Sequence, residues 1–183
     1  MTCMAEMRMS SFLGMWAAMM VPMMLPSLVP MLRRYRQAGG GAGPTAIVSL
    51  GYFFVWTAIG VAAFPLSVAL ARATPLAIAV IVLIAGSLQF TEWKARRLAC
   101  CREDPVRGLP AWQHGLRLGL RCASCCGNLM IILLVLGMMD LRVMAAVTAA
   151  ITAERLAPAG QRVARAIGVV VAGVGVILIA RAG

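Results

Sequence analysis

The chain has 183 residues, of which 62% are hydrophobic and only 13% are charged, and its formal net charge at pH 7 is +11. A water-soluble domain of this length is usually near half apolar and a quarter charged, so the composition excludes an ordinary soluble globule and indicates a lipid bilayer as the solvent. The basic excess does not indicate a nucleic-acid-binding protein, because the arginines separate apolar stretches and no groove-reading motif accompanies them.

Six apolar stretches predict an all-α fold, a polytopic transmembrane helical bundle that forms one integral membrane domain over residues 1–183. The predicted spans lie near residues 12–32, 44–70, 76–90, 122–139, 143–156 and 164–180. The longest polar segment, residues 91–121, is predicted as a cysteine- and arginine-rich loop. The stretch 143–156 is short, and its length suits an interfacial or re-entrant helix as well as a spanning one.

The basic residues alternate between the connections of these six stretches. The connections after the first, third and fifth stretches are richer in Lys and Arg than the other connections and the two termini. Because cytoplasmic loops of membrane proteins carry an excess of Lys and Arg, this alternation places the cysteine-rich loop in the cytoplasm and both termini outside.

Five of the six cysteines fall in one region of the sequence: Cys100, Cys101, Cys122, Cys125 and Cys126. Positions i, i+3 and i+4 share a helix face, so Cys122, Cys125 and Cys126 are expected to point the same way at the membrane edge. Thiolates select soft metals, and three of them suit Cu(I), whereas a fourth from Cys101 or Cys100 would complete a Zn(II) site. The alternatives to metal binding are that these cysteines are buried packing residues or that they form disulfides.

Methionine is the second clue to the metal. Met15, Met19 and Met23 form a stripe at i, i+4 and i+8, and Met20 and Met24 form a neighbouring pair. Thioethers bind Cu(I) and interact poorly with hard ions, so these residues shift the expected metal from zinc towards copper, although methionine is also common in cores. We interpret Met19, Met20, Met23 and Met24 as candidate ligands of a relay through the bilayer.

Acidic residues are few, and two of them follow apolar stretches. Asp140 and Glu154 each lie close to an arginine, Arg142 and Arg155 respectively. We interpret both carboxylates as interfacial charges, with a ligand or proton-carrier role for Asp140 as the alternative.

A series of motifs runs through most of the chain, roughly residues 16–179. In order they are Trp16, Met19-Met20, Pro22 and Pro26; Gly51-Tyr52 and Trp56; Lys94 to Arg102, Pro105, Trp112, Gly115 and Gly119; Cys122-x-x-Cys125-Cys126, Leu129-Met130 and Gly137-Met138-Met139; and Glu154. With these motifs the chain resembles a bacterial family described as predicted metal-binding integral membrane proteins. The cysteine motif is the most specific of them.

The chain departs from that family at three positions. Arg97 stands where the family has the first cysteine of a Cys-x-x-x-Cys pair, and Cys101 stands at the second. Ser124 and Gly127 replace a glycine and a tryptophan that flank the double cysteine. The resemblance implies a bacterial inner-membrane protein with a metal bound to the cysteine motif.

The sequence therefore predicts a multi-pass membrane protein that handles a soft metal, Cu(I) in preference to Zn, and delivers it to a partner metalloprotein or metal chaperone without catalysis. One alternative is a membrane thiol–disulfide oxidoreductase that uses Cys122 and Cys125, and another is a structural membrane subunit that recruits a partner. The lipid bilayer is the expected surrounding, nucleic acid is not a partner, and the sequence leaves open whether the chain forms a homo-oligomer.

Overall fold

The computed structural model describes residues 8–102, 109–137 and 140–182. Within those ranges the chain folds into seven helices with no strand, which confirms the predicted all-α class. The helices are α1 (Met9–Gln37), α2 (Ala42–Ala71), α3 (Pro75–Leu88), α4 (Glu92–Arg102), α5 (Ala111–Leu136), α6 (Leu141–Leu156) and α7 (Gly160–Ala182). Cys3, Pro105, Met138 and Met139 lie outside the described residues.

The helix ends follow ordinary capping chemistry. The Thr74 hydroxyl accepts a hydrogen bond from the Ala77 backbone N–H at 3.3 Å, and Pro75 stands in the first turn of α3, where its missing N–H costs nothing. The exposed Asp140 carboxylate caps α6 in the same way. Gly137 ends α5 with a φ of 119°, a backbone conformation that favours glycine.

The predicted count of six spans is not confirmed. Four helices, α1, α2, α5 and α7, are long and apolar enough to cross a membrane, and a fifth span is obtained if α3 and α4, bent by 66° at their junction, are taken together. The reason is length. With 14 and 16 residues, α3 and α6 rise about 21 and 24 Å, which is less than a typical hydrocarbon core of about 30 Å.

Much of the segment predicted as a loop, residues 91–121, is helical in the structure. It forms α4 and the first turns of α5, which then continues unbroken through the cysteine motif. The composition of α4 explains its helicity, because Glu, Lys, Ala, Arg and Leu are among the strongest helix formers.

The bundle is built around α5, which packs against α2, α3, α4 and α6 and is the most deeply buried of the long helices. The helices at its outside carry large apolar side chains that no other part of the structure covers. On α2 and α7 these include Leu50, Phe54, Val169, Val170 and Ile177. Such a surface is expected where the surrounding solvent is apolar.

Pairwise contacts give the direction of the helices. Helices α1 and α2 are antiparallel, because Phe12 stacks edge-on against Phe64 while Trp16, one turn later, donates its indole N–H to the Trp56 carbonyl at 2.9 Å. The α1 helix also holds three prolines, Pro22, Pro26 and Pro30, and remains helical through all of them.

Helices α2 and α5 run parallel and approach closely along a line of glycines. Gly115 lies against the Val48 carbonyl, and four residues further along Gly119 lies against Val55. Helices α3 and α7 are antiparallel, with Gly175 facing Leu83. Arg155, at the end of α6, contacts Cys122 in the first half of α5 and Met31 near the end of α1, so α6 runs back along α5 and in the same direction as α1. Taken with these contacts, α1, α3 and α6 run one way and α2, α5 and α7 the other.

This packing predicts a different effect for alanine at two glycines of the same helix. A Cβ at Gly115 would overlap the Val48 carbonyl oxygen, a backbone atom that cannot move aside, whereas a Cβ at Gly127 would meet nothing within 4 Å. We expect Gly115→Ala to lower the free energy of unfolding by about 1–3 kcal/mol, because overpacking separates α2 from α5. Thermal unfolding of the purified protein in mild detergent measures this.

Gly127→Ala is the matched control, and it should leave the protein as stable or slightly more stable because alanine favours the helix. Equal destabilisation by the two substitutions would contradict the close packing of α2 on α5.

Candidate metal centre

Three sulfur atoms meet in the core where α5 faces α1. Cys122 Sγ lies 3.5 Å from Cys126 Sγ, one helical turn along, and 3.9 Å from Met24 Sδ on α1. Cys122 and Met24 have no exposed surface, and Cys126 is also buried. We call Cys122, Cys126 and Met24 the three-sulfur group.

The spacing of this group suits a metal ion. With metal–sulfur bonds of about 2.3 Å, two sulfurs on one tetrahedral or trigonal ion are separated by about 3.8–4.0 Å. The two distances from Cys122 are close to that range. Within the described residues, no three Cys, His, Asp or Glu side chains come near enough to hold a metal. A three-ligand site that uses Cys122 and Cys126 would need the Met24 thioether as its third ligand.

Two polar side chains point at the central sulfur. The Tyr52 hydroxyl donates a hydrogen bond to Cys122 Sγ at 3.1 Å, and Arg155 Nη1 donates another at 3.0 Å. A positive guanidinium beside a buried thiol favours the thiolate, which is the form that binds metals. The Cys126 thiol donates to the Cys122 carbonyl at 2.7 Å, so in this arrangement it carries its proton.

The same arginine reaches a fourth sulfur. Arg155 Nη2 lies 3.4 Å from the Sδ of Met31, seven residues beyond Met24 on α1. Arg155 therefore joins the three-sulfur group to a thioether that the sequence reasoning did not select. The signal was present, since Met31 continues the i, i+4, i+7 face of α1 that holds Met20, Met24 and Ser27.

The third cysteine of the motif faces elsewhere. Cys125 and Cys101 pack with Leu98 and Ala164 in a separate, smaller buried cluster. Adjacent residues on a helix are separated by about 100° around its axis, so Cys125 and Cys126 cannot point in the same direction. Cys126 packs in the main core and Cys125 packs in the smaller cluster. The structure thus brings together Cys122 and Cys126, and does not bring Cys125 to the same point.

The two cysteines of α4 differ in exposure. The Cys101 thiol is buried and donates to the Arg121 carbonyl at 3.0 Å, whereas Cys100 is exposed. Of the predicted methionines, Met19, Met20 and Met23 are buried in the same core as the three-sulfur group.

A family model described as a copper chaperone, PpoB2, matches residues 13–178, which is most of the chain. The chain belongs to the PpoB2 copper chaperone family. Membership agrees with the metal-related part of the sequence resemblance and with the preference for copper over zinc. It also indicates a metal-handling protein that is not an enzyme, which argues against the thiol oxidoreductase alternative. No curated protein and no solved structure matches the chain.

This PpoB2 member also contains a buried ion pair beside the cysteines. Lys94 Nζ lies 2.8 Å from a Glu154 carboxylate oxygen, and both side chains are only 1% exposed. Lys94 also donates to the Cys125 carbonyl at 2.6 Å, and Gln89 donates to the other Glu154 oxygen at 2.6 Å. Buried charges are stable only when they are paired and hydrogen-bonded in this way.

The interpretation of Glu154 as an interfacial charge beside Arg155 did not include the buried partner that the structure shows. Glu154 and Arg155 are both buried, and they point at different partners, Lys94 and Cys122. The available signal was that two adjacent charges end an otherwise apolar helix and need partners on other helices.

The ion pair predicts a large loss of stability when one partner alone is removed. Glu154→Gln leaves Lys94 charged and buried without its counter-ion, and we expect the free energy of unfolding to fall by about 3–5 kcal/mol. Thermal or denaturant unfolding in detergent measures the change. The double variant Lys94→Met with Glu154→Gln should recover much of the loss, because no unpaired charge remains.

Glu92→Gln provides the matched control. Glu92 and Arg96 form a pair at 3.2 Å with both side chains more than four-fifths exposed, and its removal should leave the melting temperature unchanged. If Glu92→Gln lowered the stability as much as Glu154→Gln, burial would not be the reason that the Lys94–Glu154 pair matters for stability.

Proposed function

We propose that this chain is an integral membrane copper chaperone that carries one Cu(I) ion in the three-sulfur group and delivers it to a partner metalloprotein. The observation that carries the proposal is the position of Cys122 Sγ, 3.5 Å from Cys126 Sγ and 3.9 Å from Met24 Sδ in the core. Membership of the PpoB2 copper chaperone family supports the same cargo.

Charge balance favours Cu(I) over Zn(II) at this site. Cu(I) with the thiolates of Cys122 and Cys126 has a net charge of −1, which the Arg155 guanidinium in contact with Cys122 neutralises. Zn(II) with the same ligands would leave a net positive charge in a buried site, where uncompensated charge is costly. Zn(II) also takes four ligands in structural sites, while the group offers three sulfurs.

The other predicted ligands have a place in the same proposal as steps of transfer. Met20, one turn before Met24, and Met19 and Met23 on a neighbouring stripe are buried thioethers of α1 in the same core. Cys101 of α4 and Cys125 of α5 form a neighbouring buried pair. Cys100 of α4 is exposed at the surface. We assign these residues to copper movement and not to the resting site.

The binding site predicts which substitutions remove copper. Wild-type protein purified under reducing conditions should bind one equivalent of Cu(I), and Cys122→Ser or Cys126→Ser should abolish stoichiometric binding because two thiolates are needed. Met24→Leu should weaken the affinity and keep the fold, because leucine and methionine have similar volume. Competition with a chromophoric Cu(I) chelator measures both stoichiometry and affinity.

Cys125→Ser is the matched control on the same helix, and we expect it to bind one equivalent with unchanged affinity. If the wild-type protein takes up no Cu(I) and no Zn(II), the structural-subunit alternative is favoured. Loss of copper in Cys125→Ser as complete as in Cys122→Ser would show that the resting site is the sequence motif as a whole.

The membrane assignment rests on the surface and on the helix directions. Four helices are long and apolar enough to cross, large apolar side chains cover the outside, and all six helices other than α4 alternate in direction. That alternation supports a bacterial inner-membrane protein in which the short helices α3 and α6 also cross. It brings Arg33, Arg34, Arg36, Arg162 and Arg165 to one end, which we assign to the cytoplasm.

This orientation predicts the side from which Cys100 is labelled. Cys100 is exposed on α4, while Cys101 and the three cysteines of α5 are buried. In a Cys3→Ser background, a membrane-impermeant maleimide should label Cys100 in inverted vesicles and leave it unlabelled in intact spheroplasts. The further variant Cys100→Ser is the control and should remove the signal. Labelling from the outer face would reverse the orientation.

A further inference from the structure

A half-open pocket of about 230 Å³ lies beside the three-sulfur group, at the arginine-rich end of the bundle. It is bounded by α1, by the end of α4 and by the connection between α6 and α7. The residues that matter for its chemistry are Ser27, Met31, Arg34, Cys101, Arg155 and Pro158. Its volume equals that of about seven or eight water molecules, enough for the reactive end of a small ligand.

The walls of the pocket combine soft sulfur with positive charge. Met31 and Cys101 contribute a thioether and a thiol, and Arg34 and Arg155 contribute two guanidinium groups. Ser27 is 1% exposed, and its hydroxyl has no hydrogen-bond partner among the described residues. A buried hydroxyl without a partner is costly, so a ligand that hydrogen-bonds to it would be favoured. This combination suits an anion that carries a soft metal.

Arg155 connects the pocket to the copper site. Its guanidinium lines the pocket, contacts Met31 Sδ at 3.4 Å and contacts Cys122 Sγ at 3.0 Å. A metal ion bound to Met31 is therefore separated from Cys122 by the width of one side chain. The Arg155 guanidinium thus contacts both the Met31 sulfur at the pocket and the Cys122 sulfur in the core.

From this arrangement we propose that the pocket is the loading site, where Cu(I) arrives as an anionic thiolate complex and Met31 is the first protein sulfur to bind it. Arg34 and Arg155 attract the anionic carrier, whose bulk remains in solvent at the open mouth. This inference rests on the proposed function, because it assumes that the three-sulfur group is the destination of the copper.

The transfer is a ligand exchange without redox chemistry. Cu(I) forms a bond to Met31 Sδ while still bound to the carrier thiolate, then bonds to Cys122 Sγ as the carrier thiolate leaves with its electron pair. The bond to Met31 Sδ then breaks as copper bonds to Cys126 Sγ and Met24 Sδ, and the Met31 thioether is released neutral. Cys126 gives its proton to the departing thiolate or to water when it becomes a ligand. Copper stays in the +1 state throughout, so no oxidant or reductant is needed.

The experiment compares loading rates from two copper sources into the purified full-length protein. One source is the Cu(I)–glutathione complex, which is anionic, and the other is the Cu(I)–acetonitrile complex, which is cationic. We expect Arg34→Gln to slow loading from the glutathione complex by about tenfold and to leave loading from the acetonitrile complex unchanged or faster. Arg33→Gln is the matched control, since Arg33 lies outside this pocket, and it should load like the wild type.

A second pair of variants tests the thioether. Met31→Leu should slow loading from both sources severalfold and still reach one equivalent at equilibrium. Met15→Leu, which removes a half-buried thioether of the same helix away from the pocket, should load normally. Rates by stopped-flow absorbance and final stoichiometry by chelator competition are measured on the same samples.

The results separate this inference from the proposed function. Normal loading of the wild type together with identical rates for Arg34→Gln and Arg33→Gln, or for Met31→Leu and Met15→Leu, would overturn the loading pocket alone. A Met31→Leu protein with reduced copper at equilibrium would also overturn it, because Met31 would then be a resident ligand. Wild-type protein that binds no copper would overturn the proposed function itself.

Discussion

The contact between the Arg155 guanidinium and the Cys122 sulfur is the interaction on which the site depends. A positive charge is stable in an apolar bundle only next to a compensating group, and a thiolate is stable there only next to a positive charge. At 3.0 Å the guanidinium stabilises negative charge on the sulfur, and the sulfur compensates the positive charge of the guanidinium. Arg155 comes from α6, Cys122 from α5 and their neighbour Met24 from α1, so this contact also fixes how three helices meet.

Close helix packing is the second requirement. Helix α5 can carry a site surrounded by four other helices because Gly115 and Gly119 let α2 approach its backbone, which brings Tyr52 to Cys122. At α4, Lys94 pairs with Glu154 and also donates to the Cys125 carbonyl. The cysteines of α5 therefore lie between the close packing of α2 and a buried ion pair.

Composition and residue type were enough to predict an all-α chain and a copper-related protein, and helical spacing was enough to place Cys122 next to Cys126. They were not enough to separate Cys125 from Cys126, because helical periodicity gives the angle between two side chains but not the neighbour that each one meets. Arg155 and Met31 were missed for a similar reason. Their role depends on contacts between residues more than thirty positions apart. The count of six spans was not confirmed because α3 and α6 have only 14 and 16 residues, and an apolar stretch of that length does not by itself show whether a helix crosses the bilayer.

The prolines of α1 make the two sides of the proposed copper site differ in stiffness, because α1 carries the thioether and α5 carries the thiols. Cys122 and Cys126 stand one turn apart on an unbroken helix, so their separation is set by a stiff backbone. Met24 lies between Pro22 and Pro26, and Met31 follows Pro30, in a helix that lacks a backbone hydrogen bond at each proline. Bending α1 is expected to cost less than deforming α5. In the proposed copper site the Met24 thioether would therefore be the ligand that can be withdrawn while the two thiolates stay in place. A copper chaperone must release its metal as well as bind it, and in this proposal the flexibility of α1 would control the release.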